Sequence, residues 1–142
     1  ARLGVFLCFE AMYPDLVRSF VAQGAEVLVN PSNDDWFSDP APARHMLDIA
    51  SVRAIEQRRY LVRPTVTGFS AVVDPHGRAV ALSGFGEPAV LTAEIRPSSI
   101  QTIYGRWGDV VAGIVTVIVV GVSLMHVKWL NWYTWTIHKE AL

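Results

Sequence analysis

The residue with the clearest capacity for covalent chemistry is Cys8, the only cysteine among the 142 residues. It ends an apolar run, with Glu10 two positions and Pro14 six positions further on. A thiol at the tip of a strand, where the chain turns into a helix, lies beside free backbone N–H groups that favour a thiolate and stabilise an oxyanion. The alternative is a small buried hydrophobic residue. The charges around Cys8 must decide between the two.

An activated thiol at this position needs a cation nearby. Glu10 would share the face of Cys8 on an alternating strand, and a carboxylate without a cation opposes thiolate formation. The two lysines, Lys128 and Lys139, lie near the end of the chain and do not supply that cation. His45 is the remaining candidate base for a Cys–His pair, with a solvated or capping histidine as the alternative.

Composition excludes several classes of function. A net charge of −1 and 51% hydrophobic residues are inconsistent with a disordered polyelectrolyte and give no electrostatic basis for nucleic-acid binding. A single cysteine forms no internal disulfide, and no second Cys or His lies at a metal-ligand spacing. We therefore predict no nucleic-acid partner, no metal and no cofactor.

An α/β fold is predicted around Cys8. Residues 3–8 have the length and apolarity of a strand, and Pro14 starts a helix that ends at Gly24. Residues 26–30 indicate a second strand. Strand, helix and strand form a parallel crossover unit, which places Cys8 at a strand-to-helix turn. The apolar face of that first helix comprises Leu16, Val17, Phe20 and Val21.

A longer helix and three extended segments follow. The helix is predicted over residues 42–60, and residues 69–73, 79–82 and 89–95 are predicted to be extended. The helix is expected to bury Leu47, Ala50 and Ala54, with Val52 and Ile55 nearby, and to carry a salt-bridged outer face of Arg53, Glu56, Arg58 and Arg59. Before it, Trp36 and Phe37 lie in a polar loop, where they must pack on the sheet or line a pocket.

Residues 110–125 contain no charge, and ten of these sixteen residues are Val, Ile or Thr. Together with their flanks they predict a transmembrane helix over residues 108–128; the alternative is a buried strand pair or a core helix. The predicted organisation is a globular part over residues 1–99, a linker over 100–107, the membrane helix, and an aromatic interfacial or cytoplasmic tail over 129–142. Because strand-like sequence begins at once, we expect the chain to be the end of a longer protein.

Several segments match a known family pattern. They are G-V-F-L-C-F-E (4–10), Arg18, G-A-E-V-L-V-N (24–30), S-N-D-D-W-F (32–37), His45, R-A-I-E-Q-R-R (53–59) and G-F-S (68–70). Together they resemble the carbon-nitrogen hydrolase, or nitrilase-like, superfamily. The N-D-x-W-F loop, the following histidine and the C-terminal membrane helix resemble, within it, the apolipoprotein N-acyltransferase family.

This resemblance implies the C-terminal portion of an αββα sandwich on the outer, periplasmic side of the bacterial inner membrane. It also implies a Glu–Lys–Cys triad in which Cys8 is the nucleophile and the backbone N–H of Phe9 helps to bind the oxyanion. Glu10 and Glu56 would support the site. The substrate-facing loop would contain Asn33, Trp36 and Phe37.

The implied partners are a phospholipid acyl donor, a diacylglyceryl lipoprotein acceptor and membrane lipid. The acyl chain would pass through a cysteine thioester to the N-terminal amine of the lipidated lipoprotein cysteine. Lys128 and Lys139 follow the membrane helix, which favours a cytoplasmic C-terminus.

The sequence also departs from the family pattern. The family's base glutamate and its lysine precede the nucleophile, and the seven residues before Cys8 contain neither. We therefore expect the chain by itself to be inactive and prone to aggregate. Tyr60, Pro64 and Val66 stand where the family has other residues. The alternatives are a nitrilase-like amidase acting on a small amide, with residues 110–125 buried, and a non-catalytic membrane-anchored module.

Overall fold

The structure is a computed structural model that describes the backbone of residues 1–140 and the side chains of residues 1–129. It divides into two compact units, Ala1–Gly108 and a second that starts at Asp109. The strands are β1 (Leu3–Val5), β2 (Val27–Val29), β3 (Leu61–Arg63), β4 (Ala71–Val73) and β5 (Ala79–Leu82). The helices are α1 (Pro14–Ala22), α2 (Pro40–Gln57), α3 (Ile103–Trp107) and α4 (Val110–Glu140), and a 3-10 helix spans Cys8–Met12.

The first unit contains a mixed five-stranded sheet in the order β1-β2-β3-β4-β5. The first three strands are parallel, and β4 and β5 continue the sheet antiparallel. Parallel crossovers are right-handed, and both crossovers step in the same direction along the sheet, so α1 and α2 cover the same face. This arrangement confirms the predicted α/β class.

The core lies between that face and the two helices. Across the sheet, Gly4, Leu28, Leu61 and Val73 stand in register on the helix side. Residue 4 is glycine because a Cβ there would approach the Cβ atoms of Ala25 and Phe20 to 3.0 and 3.1 Å. The buried apolar residues around this row are Phe6, Ala11, Val17, Val21, Ala25, Leu47, Ala50, Ala54 and Ala71.

The opposite side of β1 is uncovered. Leu3, Val5 and Leu7 are 59%, 46% and 59% exposed, and they alternate with the buried Gly4 and Phe6. A strand of a single sheet with water on one face would carry polar residues there. This apolar exposed face is what one half of a two-sheet sandwich presents to the other half.

Helix α2 follows the predicted pattern on its buried side only. Leu47, Ala50 and Ala54 are buried, as predicted, whereas Val52 and Ile55 are 40% and 41% exposed. The helix begins at Pro40 because the Asp39 side chain accepts the Ala41 N–H at 2.7 Å. It ends where Arg58 adopts a left-handed conformation with φ of 51°.

Two arginines that were predicted on the outer face of α2 are buried. Arg53 forms the predicted pair with Glu56 at 3.0 Å, but Arg53 is only 9% exposed. Arg59 lies beyond the helix and is 2% exposed. Its guanidinium donates to four carbonyl oxygens and one hydroxyl, those of Ala25, Gln57, Arg58, Ile100 and Ser98. Arg59 therefore ties residues 98–100 to the sheet rather than facing solvent.

Three segments contain elements that differ from those expected from the sequence. The segment 61–63, for which no strand was predicted, is the central strand β3. The predicted extended segment 89–95 forms no strand in the described structure. The predicted linker, 100–107, contains α3, which packs on α1 and α2. Thr102 caps α3 by accepting the Gly105 N–H at 2.8 Å.

The second unit consists of α4. Its segment Val110–Trp129 has 20 residues, including an 18-residue window with a mean hydropathy of 2.5, and is long and apolar enough to cross a membrane. Thr116 and Ser123 donate their hydroxyls to carbonyls four residues earlier, both at 2.8 Å, so these polar groups need no water. Beyond Trp129, the side chains of the predicted aromatic tail lie outside the described residues.

Candidate active site at Cys8

Cys8 lies where the chain leaves β1 and enters the 3-10 helix, at the predicted strand-to-helix turn. Its φ is +47°, in the left-handed region that residues other than glycine rarely adopt. Such a conformation costs about 1–3 kcal/mol and persists only where the surrounding contacts hold it. The thiol is half-buried. The cysteine is therefore held in an unfavourable backbone conformation at an accessible turn.

The backbone N–H groups of this turn differ in their partners. The Cys8 N–H donates to the Pro31 carbonyl and the Glu10 N–H to the Leu7 carbonyl, both at 2.8 Å. No hydrogen bond of the Phe9 N–H occurs among the described residues. The first N–H groups of a helix are the ones available to an anion. The free Phe9 N–H, directly after the thiol, is thus suited to stabilise an oxyanion.

Glu10 turns back onto the chain just before the nucleophile. Its carboxylate accepts the Leu7 N–H at 2.5 Å, while its own N–H bonds the Leu7 carbonyl. This reciprocal pair closes the turn in the manner of a capping box. The Glu10 side chain thus fixes the entry into the 3-10 helix, and its role in supporting the reaction stays a prediction.

The loop after β2 brings Asn33 to the thiol. The Asn33 carbonyl lies 4.0 Å from Cys8 Sγ and also accepts the Trp36 indole N–H at 3.0 Å. Trp36 is 74% exposed, on the rim of the site. Of the three predicted loop residues, Asn33 thus contacts Cys8 directly, through its main chain.

An apolar groove of about 460 Å³ opens beside the Cys8 turn. It lies between the 3-10 helix and the first half of α2, and its volume is within the range of sites that bind drug-sized molecules. Its lining residues are Phe9, Met12, Phe37, Ala41, Pro42, His45, Met46 and Ile49. Phe37 therefore lines a pocket, one of the two alternatives that the sequence left open.

Two candidate residues lie away from the thiol. His45 is exposed on α2 and lines the groove, with no contact to Cys8 among the described residues. Glu56 lies near the other end of α2, seven residues or about 10 Å along the axis from Ile49. Its carboxylate pairs with Arg53, and its carbonyl accepts the Thr102 hydroxyl at 2.6 Å. The supporting role of Glu56 remains a prediction.

A cation does lie behind Cys8, and it is Arg63 of β3. Its side chain is fully buried, and its guanidinium donates to both carboxylate oxygens of Asp34, at 3.1 and 3.2 Å, and to the Asn30 side-chain oxygen. Burial lowers the pKa of Arg63, while the charge of Asp34 and its hydrogen bonds to the guanidinium oppose that shift. A cation near Cys8 was expected from the sequence, but only the lysines and His45 were considered for it. The signal it missed was an arginine in the apolar run Y-L-V-R-P.

Asn30 connects this arginine to the nucleophile. Its side-chain amide donates to the carbonyls of Phe6 at 2.9 Å and Cys8 at 3.3 Å. Ser32 donates its hydroxyl to Asp34 at 2.7 Å and completes the buried cluster. Among the described residues, no three His, Cys, Asp or Glu side chains form a group that could hold a metal ion.

Comparison with known proteins assigns the first unit to a family. Residues 1–104 match the family model described as Carbon-nitrogen hydrolase. The chain belongs to the carbon-nitrogen hydrolase family. The predicted membership is thereby confirmed.

Curated relatives of this carbon-nitrogen hydrolase chain are named apolipoprotein N-acyltransferase. The one from Geobacter metallireducens is 38% identical over 112 residues, which are 78% of this chain and 21% of the relative. The one from Gloeobacter violaceus is 41% identical over 104 residues, which are 72% of this chain and 20% of the relative. The chain thus spans about a fifth of the length of these relatives.

Solved structures of the nitrilase superfamily share the fold. Nit3 of Saccharomyces cerevisiae is 28% identical with a TM-score of 0.53, over 61% of this chain and 34% of that one. The NitFhit protein of C. elegans is 30% identical with a TM-score of 0.53, over 60% of this chain and 22% of that one. The mixed sheet with helices on one face is therefore part of a nitrilase-type fold.

Proposed function

We propose that this chain is the C-terminal part of an apolipoprotein N-acyltransferase. In this reaction a phospholipid donates an acyl chain to Cys8, and the resulting thioester passes it to the N-terminal amine of a diacylglyceryl lipoprotein. The observation that carries the proposal is the Cys8 turn, where a half-buried thiol, a free N–H and an apolar groove adjoin one another. The names of the curated relatives support the same reaction.

The first half of the reaction is attack by the Cys8 thiolate on the ester carbonyl carbon of the phospholipid. The carbonyl electron pair moves onto oxygen, and the Phe9 N–H donates to that oxyanion. When the tetrahedral intermediate collapses, the C–O bond breaks, the lysophospholipid alkoxide takes a proton, and the acyl group remains on sulfur. The second half repeats these steps with the lipoprotein amine as nucleophile, and the thiol is regenerated.

The groove beside Cys8 is suited to hold the acyl chain. Its lining by Phe9, Met12, Phe37, Met46 and Ile49 is almost entirely apolar. An acyl chain placed there gains about 0.8 kcal/mol for each CH₂ group removed from water. A donor with a long chain would thus be held with its ester near the thiol. A small amide would leave the apolar residues of the groove exposed to water and would gain none of this binding energy.

The base and the lysine of the triad are assigned to sequence outside these 142 residues. The resemblance implies a glutamate that removes the thiol proton and a lysine that joins Phe9 at the oxyanion. Among residues 1–127 there is no lysine. We therefore expect the 142-residue chain by itself to be inactive, and the complete protein to be active.

The proposed location is the bacterial inner membrane, with the Cys8 unit on the periplasmic side. Segment Val110–Trp129 supplies the membrane span, and Lys128 at its end and Lys139 beyond it favour a cytoplasmic C-terminus. A lipoprotein acceptor exported across that membrane presents its amine on the periplasmic side, where Cys8 would meet it.

The test is to incubate membranes containing the full-length protein with a phospholipid that carries an alkyne-tagged acyl chain. Mass spectrometry of the peptide containing Cys8 is expected to show one acyl adduct, which a diacylglyceryl lipopeptide amine discharges. The matched control is Cys8→Ala, for which we expect no adduct. An equal adduct in Cys8→Ala would contradict the transferase. Acylation of Cys8 by a small amide but not by the phospholipid, with discharge by water rather than by the lipopeptide amine, would favour an amidase.

A further inference from the structure

The buried cluster behind Cys8 is unusual for its polarity. The side chains of Arg63 and Asp34 are 0% and 2% exposed, Asn30 is fully buried, and Ser32 is 7% exposed. A buried ion pair is a weak source of stability, because desolvation offsets most of its attraction. The Arg63 Nε also has no hydrogen-bond partner among the described residues. These features argue that the cluster is maintained for something other than stability.

The contacts of the cluster converge on the backbone of the nucleophile. Asn30 accepts from Arg63 with its oxygen and donates to the Phe6 and Cys8 carbonyls with its nitrogen. Because Arg63 occupies the oxygen, the amide can present only its N–H groups to the Cys8 turn. The guanidinium thus determines the orientation of Asn30, and Asn30 fixes the carbonyls on both sides of Leu7.

The same guanidinium also holds the loop on the other side of the thiol. Asp34 accepts both bonds from Arg63 Nη2, and it directly follows Asn33, whose carbonyl faces Cys8 Sγ. One buried side chain therefore positions the two segments between which the thiol lies. The left-handed conformation of Cys8 needs such external support, since it is unfavourable by itself.

Arg59 provides the contrast. It is also buried and also binds main-chain carbonyls, but its acceptors belong to Ala25, the end of α2 and residues 98–100. None of its described partners lies in the Cys8 turn. Arg59 therefore has the contacts of a purely structural arginine and serves as the internal control.

We propose that Arg63 is a positioning residue that acts through Asn30 to hold Cys8 in its left-handed turn, with Asp34 keeping the guanidinium in place. The proposal rests on the proposed function only in taking Cys8 as the nucleophile. It adds that the geometry of the thiol depends on a charge that does not itself contact the substrate.

Two variants separate positioning from stability. Asn30→Asp keeps an oxygen for Arg63 but loses the N–H donors to the two carbonyls. The double variant Arg63→Met/Asp34→Leu replaces the ion pair by apolar side chains, which proteins often tolerate. Arg59→Met is the matched control. All are made in the full-length protein, and each is checked for a cooperative thermal transition.

Two readouts are measured on each folded variant. The rate of Cys8 acyl-adduct formation is expected to fall between about tenfold and a hundredfold in both cluster variants, the effect of misplacing a reacting atom. Amide hydrogen exchange, followed by mass spectrometry, is expected to speed up about tenfold in residues 6–10 while the rest of the first unit is unchanged. In Arg59→Met we expect the adduct rate and the exchange of residues 6–10 to stay at wild-type values.

The outcomes distinguish this inference from the proposed function. If the wild-type protein forms no acyl adduct, the proposed function fails, and exchange of residues 6–10 still tests the positioning role. Arg63 does not position Cys8 if a folded cluster variant behaves as the wild-type protein. That result would be wild-type hydrogen exchange at residues 6–10 together with, where an adduct forms, a wild-type adduct rate. If one variant fails to fold, the other decides.

Discussion

At the Cys8 turn, the residues that would meet the substrate and those that hold them differ in burial. Phe9 is 45% exposed and offers a free N–H, whereas Asn30 and the Arg63 side chain are fully buried. The exposed group would act on the reaction only if the buried ones fix its direction. A substitution in the buried set should therefore affect the chemistry without touching the ligand.

Gly68 is a sensitive position for this buried set. A Cβ on residue 68 would overlap the Asp34 side chain, whose Cγ and Cβ lie at 2.8 and 2.9 Å from it. Gly68→Ala must therefore displace the carboxylate that pairs with Arg63. We expect a loss of about 1–3 kcal/mol in the free energy of unfolding, as for other overpacked sites. Denaturant unfolding followed by circular dichroism measures it.

The matched control for this prediction is Gly113→Ala in α4. A Cβ on residue 113 meets no atom within 4 Å. The control is expected to leave the unfolding of the first unit unchanged. Equal stability of the Gly68→Ala variant and the wild-type protein would show that Asp34 can move freely.

The candidate nucleophile could be proposed from the sequence, whereas the buried residues that surround its turn could not. Cys8 follows from its position at a strand-to-helix turn, and the roles of Phe9 and Glu10 are what the family resemblance implies. Arg63 was missed because its role arises from the neighbouring strand β2, whose loop supplies Asn30 and Asp34 to it. Contacts between residues 30 positions apart leave no local pattern, although the unmet need for a cation was visible.

At the scale of elements, the short strand β3 explains why the first unit was only partly predictable. Strands β1, β2, β4 and β5 and helix α1 lie within the predicted segments, whereas α2 begins at Pro40, two residues before its predicted start, and α4 continues to Glu140, beyond its predicted end at residue 128. β3 has only three residues, one of them Arg63, and a charged residue argues against a central strand. Helix α3 was missed because Gly105 interrupts its five residues. Strand β3 was therefore not predicted because it is short and contains a buried charge, and helix α3 was not predicted because it is short and contains a glycine.

The β4–β5 hairpin depends on Asp74 in its turn. Burial acts to raise the pKa of the Asp74 carboxyl, but the N–H groups of Arg78 and His76 and the Arg78 guanidinium outweigh it and hold the pKa below its usual value of 3.8. A carboxyl with a lowered folded-state pKa stabilises the protein fully above that usual value, and the stabilisation is lost as the pH falls below about 4. Acid should therefore loosen this hairpin.

We expect Asp74→Asn to lower the free energy of unfolding at pH 7 by about 1–2 kcal/mol, since the buried turn loses charge-assisted hydrogen bonds. The variant should also lose less stability than the wild-type protein between pH 5 and pH 3. Thermal unfolding at a series of pH values measures both effects. The control is Asp48→Asn, because the pair of Asp48 with Arg44 is exposed and should contribute little. Parallel pH profiles for Asp74→Asn and wild type would contradict the assignment.

At the scale of the whole molecule, the two units have opposite solvent requirements. The first unit buries charges such as Arg59 and Arg63 in a packed α/β core. The second is a helix whose hydroxyls at Thr116 and Ser123 are already bonded to its own carbonyls. A helix that satisfies its polar groups internally is suited to lipid.

We expect α4 to anchor the protein in the membrane. The double substitution Val117→Arg/Val120→Arg places two charges near the middle of the apolar segment, each costing about 2.5–3.5 kcal/mol on insertion. The wild-type protein should stay in the pellet after an alkaline carbonate wash, and the variant should move largely to the supernatant. Val122→Leu is the control and should behave as wild type. Retention of the double variant would mean that another segment anchors the chain.

The left-handed backbone of Cys8 sets the requirements of folding against those of chemistry. Glycine is the residue that suits a φ of +47°, and a cysteine there is disfavoured by about 1–3 kcal/mol. Substitution of Cys8 by glycine would therefore remove the unfavourable backbone conformation and, in the same step, the thiol. Position 8 is a place where natural selection for stability and selection for reactivity pull toward different residues. A related sequence with glycine at this position would therefore be expected to keep the fold and to lack the acyl-transfer activity.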